Sequence, residues 1–401
     1  MAHIKLKDVI NRVQTKVDKD NTSLIYYVGG EHIESENVCI TKRGLIEGST
    51  IGPMFYYGFK AGDFLLVSRN PHLKKAGVVG FEGICSEKTF VLATANSEVL
   101  LPEYLPFILQ NDTFWEYAYQ HRHGSTNTFI NWSTLANYEF ELPNIEIQRK
   151  LAEILWAIND TMESYKRLIL ATDELVKSQF IEMIEPYSQY STKAGTIMYG
   201  MRNGLSPSRA GEHYAKTLTL SAVTQGVFDE NAWKDGYFAD CPPNDKRICA
   251  TDFYICRGNG NKTLVGAGVY SLEDRFDLVF PDTVIAARIN EQKIRLPYLY
   301  MAWKMQAVRN QIEENAKTTN GTYKINQSVI ANVELVVPPL PVQDEFVAFV
   351  QQSDKSKFAV LNCLKRNLLL ILQKTEDVHS LINQSAKKYF CKSCHRENHN
   401  G

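Results

Sequence analysis

Ile130-Asn-Trp-Ser-Thr-Leu-Ala-Asn-Tyr-Glu-Phe-Glu-Leu-Pro143 returns 195 residues later as Ile325-Asn-Gln-Ser-Val-Ile-Ala-Asn-Val-Glu-Leu-Val-Val-Pro338. Seven of the fourteen positions are identical, where chance gives about one, and most of the others are apolar exchanges. The match extends outward without a gap. Leu101-Pro102 lies on Leu296-Pro297 and Gln148 on Gln343. Further upstream, with a small change of register, Gly62-Asp63-Phe64-Leu65 and Arg69-Asn70 answer Asp252-Phe253-Tyr254 and Arg257-Gly258-Asn259. The chain is therefore a duplicated unit, and its 401 residues favour two or more domains on length alone.

After Pro143 the pattern changes. Ile147, Leu151, Ile154, Ile158, Met162, Tyr165, Leu168 and Leu175 recur every three or four residues with charges between them, which predicts a long helix of coiled-coil type. Asn144 can cap its start, Glu146 suits the first turn, and Pro186 stops it. The second copy repeats the device, with Pro341 at the start, Asp344 and Glu345 at the positive helix end, and a stripe of Phe346, Phe349, Leu361, Leu364, Leu368, Ile371 and Val378. Two such helices fit one antiparallel pair. Ahead of each lies a stretch of short β-branched or aromatic runs (Phe64 to Val67, Val78 to Phe81, Thr217 to Val223, Val284 to Ile289) broken by Gly, Pro and Asn, and each copy should carry a helix near Tyr104 to Gln120 or Tyr298 to Asn315. The expected fold class is α+β: globules at 1–144 and 187–340, spacer helices at 145–186 and 341–388, and a disordered tail at 389–401.

Composition bounds the function. Hydrophobic content of 44% suits a globular chain, no apolar run approaches the ~20 residues of a membrane span, and Met1 to Asp20 is too polar for a secretory signal, so a cytoplasmic location is expected. Eight scattered cysteines are then expected as thiols. A net charge of −1 gives no support to non-specific nucleic-acid binding, so any DNA footprint must be local or shared with partners.

Two globules, each followed by a long helix, resemble the specificity subunit of Type I restriction-modification systems over nearly the whole chain. The resemblance is carried by Tyr27-Val-Gly-Gly-Glu-His-Ile-Glu34 and Gly62-Asp-Phe-Leu-Leu-Val-Ser-Arg69 in the first copy, and by Asn203-Gly-Leu-Ser-Pro-Ser208 and Asp252-Phe-Tyr-Ile-Cys-Arg-Gly-Asn259 in the second. The helix starts Glu141-Leu-Pro-Asn-Ile-Glu-Ile-Gln148 and Val337-Pro-Pro-Leu-Pro-Val-Gln343 resemble the family's proline-then-Gln junctions. The resemblance implies that each globule is a target-recognition domain reading one half of a bipartite duplex sequence. It implies that the helices set the spacing and dock two methyltransferase (modification) subunits, with helicase-nuclease (restriction) subunits as further partners. Adenine methylation with S-adenosylmethionine and cleavage with ATP and Mg²⁺ would then belong to those partners, with no cofactor, metal or catalytic residue on this chain.

Duplex affinity needs Lys and Arg on phosphates, and sequence reading needs Arg, Lys, Asn or Gln at base edges. Such residues gather in Gly-rich loops: Lys42, Arg43, Arg69, Lys74, Lys75, Arg122, His123, Ser125 and Asn127 in the first copy, and Arg202, Arg209, Arg257, Asn259, Asn261, Lys262, Lys317, Asn320 and Lys324 in the second. The ordinary alternative is that Gly124 and Gly321 only make turns, that the loop cations are solvated, and that Arg69 and Arg257 form strand-end salt bridges.

Other signals point elsewhere. Asp282 with Glu291 and Lys293 imitates a nuclease metal site, but at short spacing and without a counterpart in the first copy. Gly258-Asn-Gly-Asn-Lys-Thr263 lacks the spacing of a phosphate loop. No Asn/Asp-Pro-Pro-aromatic tetrad of an amino-methyltransferase is present. Cys391, Cys394 and His399 supply three ligands of a zinc site whose fourth is undefined, against a frayed terminus as the plainer reading. Cys363 is read as core. Two competing functions follow: a stand-alone restriction endonuclease resting on Asp282 and Glu291, and a protein-binding scaffold that binds no DNA.

Overall fold

The structure, a computed structural model, describes residues 2–208, 211–319 and 321–373. The tail 389–401 with Cys391, Cys394 and His399, and the part of the second spacer helix beyond 373 including Val378, lie outside the described residues. The chain divides into two compact units. One runs to Tyr165 and takes in the end of the last helix from Cys363, and the other spans Lys166–Asn362.

The first unit carries strands β1 (Ala2–Lys5), β2 (Ile10–Val13), β3 (Tyr26–Val28), β4 (Cys39–Ile40), β5 (Gly44–Leu45), β6 (Phe55–Phe59), β7 (Phe64–Val67), β8 (Ala76–Val79), β9 (Gly83–Ser86), β10 (Thr89–Thr94) and β11 (Glu139–Leu142). Its helices are α1 (Leu6–Val9), α2 (Leu105–Leu109), α3 (Asp112–Gln120), α4 (Trp132–Leu135) and the first part of α5 (Ile145–Ile184). One sheet has the order β2-β10-β7-β8-β4, a second has β5-β3-β9-β6, and β1 pairs with β11. The apolar run Phe64-Leu-Leu-Val67 forms a central strand because both of its faces are covered. Phe64 and Leu66, with Phe90 and Leu92, join the helical core of Leu105, Phe114 and Trp115. Leu65 and Val91 point the other way, into a core with Val28, Phe59 and Cys85 of the second sheet.

The second unit repeats this wiring. Its strands are β12 (Ser191–Lys193), β13 (Met198–Asn203), β14 (His213–Leu218), β15 (Trp233–Phe238), β16 (Arg247–Ile248), β17 (Asp252–Cys256), β18 (Gly258–Asn259), β19 (Gly268–Tyr270), β20 (Arg275–Val279), β21 (Val284–Ile289), β22 (Lys317–Thr319), β23 (Thr322–Lys324) and β24 (Glu334–Val336). Its helices are α6 (Ser221–Thr224), α7 (Leu296–Lys304), α8 (Gln306–Asn315), α9 (Gln327–Asn332) and part of α10 (Leu340–Gln373). The order β13-β21-β17-β19 matches β2-β10-β7-β8, β15-β14-β20-β16 matches β5-β3-β9-β6, and β12-β24 matches β1-β11. Even the parallel pair is kept, β3 with β9 in one copy and β14 with β20 in the other. The alternation recurs as well: Phe253, Ile255 and Ile285 face the helices, while Tyr254, Cys256 and Val284 face the second sheet.

Several expectations are revised. Each helix expected ahead of the matched segment is two helices. Asn111 breaks the first by accepting a hydrogen bond from the Thr113 amide, and Met305 breaks the second with an extended backbone at φ −63°, ψ 142°. Thr217 to Val223 is a strand end followed by the short helix α6, because Leu220 already has helical backbone angles. Asn144 caps α5 as read, its Oδ1 accepting the Ile147 amide at 3.0 Å. Along the stripe only some positions are covered. Ile158 and Leu364 share a small core in the first unit, and Val176, Phe180 and Phe346 join the helical core of the second, with Phe180 and Phe346 ring centres 4.9 Å apart. Leu168 and Leu175 stay 48% and 56% exposed, and Cys363 is exposed rather than core. Lys357 also reaches Asp173 at 2.5 Å. Among the described residues no helix is long and apolar enough to cross a membrane.

Candidate nucleic-acid interface

At the end of the central strand of each unit, the fold lays a short glycine-tipped hairpin. In the first unit, His123 and Phe129 close the hairpin through two backbone bonds of 2.7 and 2.9 Å. Phe129 also bridges to Arg69, just beyond β7, and the Asn70 amide donates to the Thr128 carbonyl at 2.7 Å. The tip holds Ser125 and Asn127, both exposed, and Gly124 with φ +85°. In the second unit, β22 and β23 make the hairpin, with Lys317 opposite Lys324, and Lys324 pairs in turn with Gly258 just beyond β17. Gly258 suits that position because a Cβ there would meet the Lys324 side chain at 3.1 Å. Phe129 and Lys324 are equivalent in the repeat, so one junction is built twice. Two stretches read separately in the sequence, the segment after the strand and the loop some sixty residues on, thus become neighbours in each unit.

The cations on this junction differ between copies. Arg69 sits over the Phe129 ring at 5.2 Å and reaches the Asn127 carbonyl at 3.5 Å, and Arg122 lies over Tyr119 at 3.7 Å, donating to its carbonyl at 2.6 Å. In the second copy Arg257 donates to the Asp282 carbonyl at 3.2 Å, while Lys262, Lys317 and Lys324 are exposed. No strand-end salt bridge holds Arg69 or Arg257 among the described contacts. Asn259 and Asn261 spend their side-chain oxygens on local turns, accepting the Asn261 amide at 2.8 Å and the Thr263 amide at 3.1 Å. Exposed lysines suit phosphates, whereas guanidiniums resting over aromatic rings suit base edges or stacking. Arg209 and Asn320 lie outside the described residues.

Other sequence candidates are placed elsewhere. Lys42 pairs with Glu34 at 2.6 Å, and Arg43 lies over Tyr26 at 4.0 Å and Phe81 at 4.7 Å on the second sheet. Lys74 is held by Asp112 at 2.9 Å and Glu36 at 3.1 Å; burial alone would lower its pKa, but these two carboxylates carry it above the ordinary value. Lys75 donates to the Gly30 carbonyl at 2.5 Å. Arg202 is spent inside the fold, bound to the fully buried Asp252, which also takes Arg288 at 2.6 Å. Lys74, Lys75 and Arg202 therefore hold the scaffold together, and a charge committed to a buried or half-buried partner is expensive to withdraw for a ligand.

The nuclease-like pair does not assemble. Asp282 precedes and Glu291 follows the six-residue strand β21, which separates them by ~20 Å, and Lys293 turns back to the Thr196 carbonyl at 3.2 Å. Among the described residues, no group of three or more His, Cys, Asp or Glu is placed to hold a metal ion. Two buried glutamines escaped the sequence reading as working residues. Gln148 and Gln343 each tie the first turn of a long helix to its own unit, and their shared place in the repeat, five residues after a proline, was the signal.

No protein-family model matches the chain. It is 30% identical over 182 residues to the Type I restriction enzyme EcoKI specificity subunit of Escherichia coli, a match covering 43% of this chain and 38% of that protein's length. It is 24% identical over 345 residues to the Type I restriction enzyme MjaIX specificity subunit of Methanocaldococcus jannaschii, covering 80% of this chain and 76% of the relative. The solved S subunit of a Type I restriction-modification system from M. genitalium superposes with a TM-score of 0.53 at 14% identity, over 92% of this chain and 93% of that one, which shows a shared fold. In sequence and in fold, the chain is a relative of the specificity subunits of Type I restriction-modification systems.

Proposed function

We propose that the chain is the DNA-specificity subunit of a Type I restriction-modification complex and performs no chemistry itself. Residues 1–144 and 187–340 act as target-recognition domains, each reading one half of a bipartite duplex target. The observation that carries this reading is the junction built twice, a glycine-tipped hairpin on the end of a central strand, with different cations on the two copies. Equivalent placement gives two readers, and the change from Arg69, Arg122 and His123 to Arg257, Lys262, Lys317 and Lys324 gives them different preferences, so the target is asymmetric.

The helices at 145–186 and 341–388 pair as an antiparallel coiled coil that sets the distance between half-sites, as the spacing of paired readers does elsewhere. Support comes from three contacts in which early positions of one helix meet late positions of the other: Ile158 with Leu364, Asp173 with Lys357, and Phe180 with Phe346. Leu168, Leu170, Leu175 and Phe358 leave apolar surface on these helices, which suits the docking of methyltransferase subunits. Those partners supply adenine methylation from S-adenosylmethionine, and helicase-nuclease subunits supply cleavage with ATP and Mg²⁺.

The test is to co-express the chain with its methyltransferase subunit and map methylated adenines across the host genome. An asymmetric bipartite motif that requires the chain, with one half altered by exchange of residues 1–144, supports the reading. Unchanged methylation with no complex formed overturns it and leaves a protein-binding scaffold.

A further inference from the structure

Gln148 and Gln343 are among the most deeply buried polar residues of the described chain, 1% and 0% exposed, and they make the same bonds. Gln148 Oε1 accepts the Leu101 amide at 3.0 Å, and its Nε2 donates to the carbonyls of Val99 and Pro143, both at 2.8 Å. Gln343 Oε1 accepts the Arg295 amide at 2.9 Å, and its Nε2 donates to the carbonyls of Lys293 at 3.0 Å and Pro338 at 2.8 Å. In each unit one side chain on the first helical turn thus grips two separate stretches: the strand exit before the helix, and the segment leading into α2 or α7. An apolar side chain of equal volume would bury as well, but it would not fix an angle. Three directional bonds to backbone groups do.

We propose that Gln148 and Gln343 are positioning residues that set the angle of each long helix on its own globule, and through it the half-site spacing the protein accepts. The inference rests on the specificity-subunit reading above. Leverage makes the angle matter. A helix of 40 residues is a rod of ~60 Å, so a swing of ~3° at its base moves the far end by about 3 Å, close to the rise of one base pair.

The experiment compares wild type, Gln148→Met, Gln343→Met and the milder Gln148→Asn, each in complex with the methyltransferase subunit. Gln148→Asn keeps the neutral amide but is one methylene shorter, so it cannot hold the Leu101 amide and the Val99 and Pro143 carbonyls together. Thermal melts establish which variants fold, and methylation is measured on duplexes carrying the cognate half-sites with the natural spacer or one base pair more or less. Folded variants should raise the ratio of off-spacing to natural-spacing methylation about tenfold, while the bases required in each half-site stay unchanged. A folded variant that keeps the wild-type ratio overturns the inference, and should either Met variant fail to fold, Gln148→Asn decides it by the same ratio. If wild type itself methylates no bipartite target, the functional reading fails instead.

Discussion

Asp252→Asn is the substitution whose cost the structure fixes most closely. Asp252 is fully buried at the start of β17 and holds two guanidiniums, Arg202 from β13 and Arg288 from β21, the latter at 2.6 Å; its hydrogen bond also raises the Arg288 pKa. Removing the carboxylate charge leaves Arg202, with a side chain only 15% exposed, beside Arg288 and with only the more distant, exposed Asp245 at 4.0 Å as an ion-pair partner. Breaking a buried pair in this way costs about 3–5 kcal/mol, and the 37% exposure of Arg288 argues for the lower end, about 3 kcal/mol. In a unit of this size that lowers the melting midpoint by roughly 6–12 °C, read by calorimetry or circular dichroism. The repeat supplies the control. Asp63 stands at the equivalent place in the first unit, 2% exposed, where its carboxylate accepts only the Lys60 amide at 2.8 Å among the described bonds, and burial raises its pKa. A carboxyl whose folded pKa is raised stabilises below its unfolded pKa and loses that contribution as pH rises through the folded value. At neutral pH, Asp63→Asn should therefore leave the midpoint unchanged or higher. An Asp252→Asn shift under about 2 °C, or an equal loss from Asp63→Asn, would refute the assignment of the stability to the arginine pair.

Lys262→Ala and Lys324→Ala, each removing an exposed cation, should weaken duplex binding alike for cognate and unrelated sequences and reduce the salt slope by about 1 apiece, measured by fluorescence anisotropy of the methyltransferase complex across a salt series. Gly124→Ala forces a side chain onto φ +85° with its Cβ 3.0 Å from the Asn127 carbonyl, a strain of about 1–2 kcal/mol; methylation should lose selectivity for one half-site and keep it for the other. Asp277 is held at a pKa of about 2, chiefly by its hydrogen bonds from Arg275 and with help from Lys216. Its contribution is present above the unfolded carboxylate value of ~3.9 and lost as pH falls toward 2, so Asp277→Asn should lower stability at pH 7, flatten the acid limb of the stability profile between those limits, and converge with wild type as pH approaches 2.

What the sequence made legible follows the physics of each element. Phe64 to Val67 and Val284 to Ile289 announced themselves because strands covered on both faces are mostly apolar, with Arg288 admitted in the second through its pairing with Asp252, and both runs are strands with the bounds read. The long helices were visible through period and through Asn144, although the full apolar stripe overstated how much is covered, as Leu168 and Leu175 show. The second sheet of each unit was hidden. Its strands β5 and β16 have two residues each, too few for a period, and they exist only because distant segments pair with them. The glycine-containing loops were legible from Gly124 and Gly321, but not that each docks on a strand end. Arg202 misled for a related reason. It stands among Gly, Asn and Ser like a loop cation, and its partner Asp252 lies 50 residues away.

The pairing of β1 with β11, and of β12 with β24, has an evolutionary side. The strand that opens each globule lies against the strand that closes it, so the chain enters and leaves through one doorway. A segment whose two ends meet is exchanged between genes with little disturbance to what lies outside it, because the crossover points touch a single strand pair. Recombination at the two repeated doorways would trade one globule for another in a single event and leave the helices as they were.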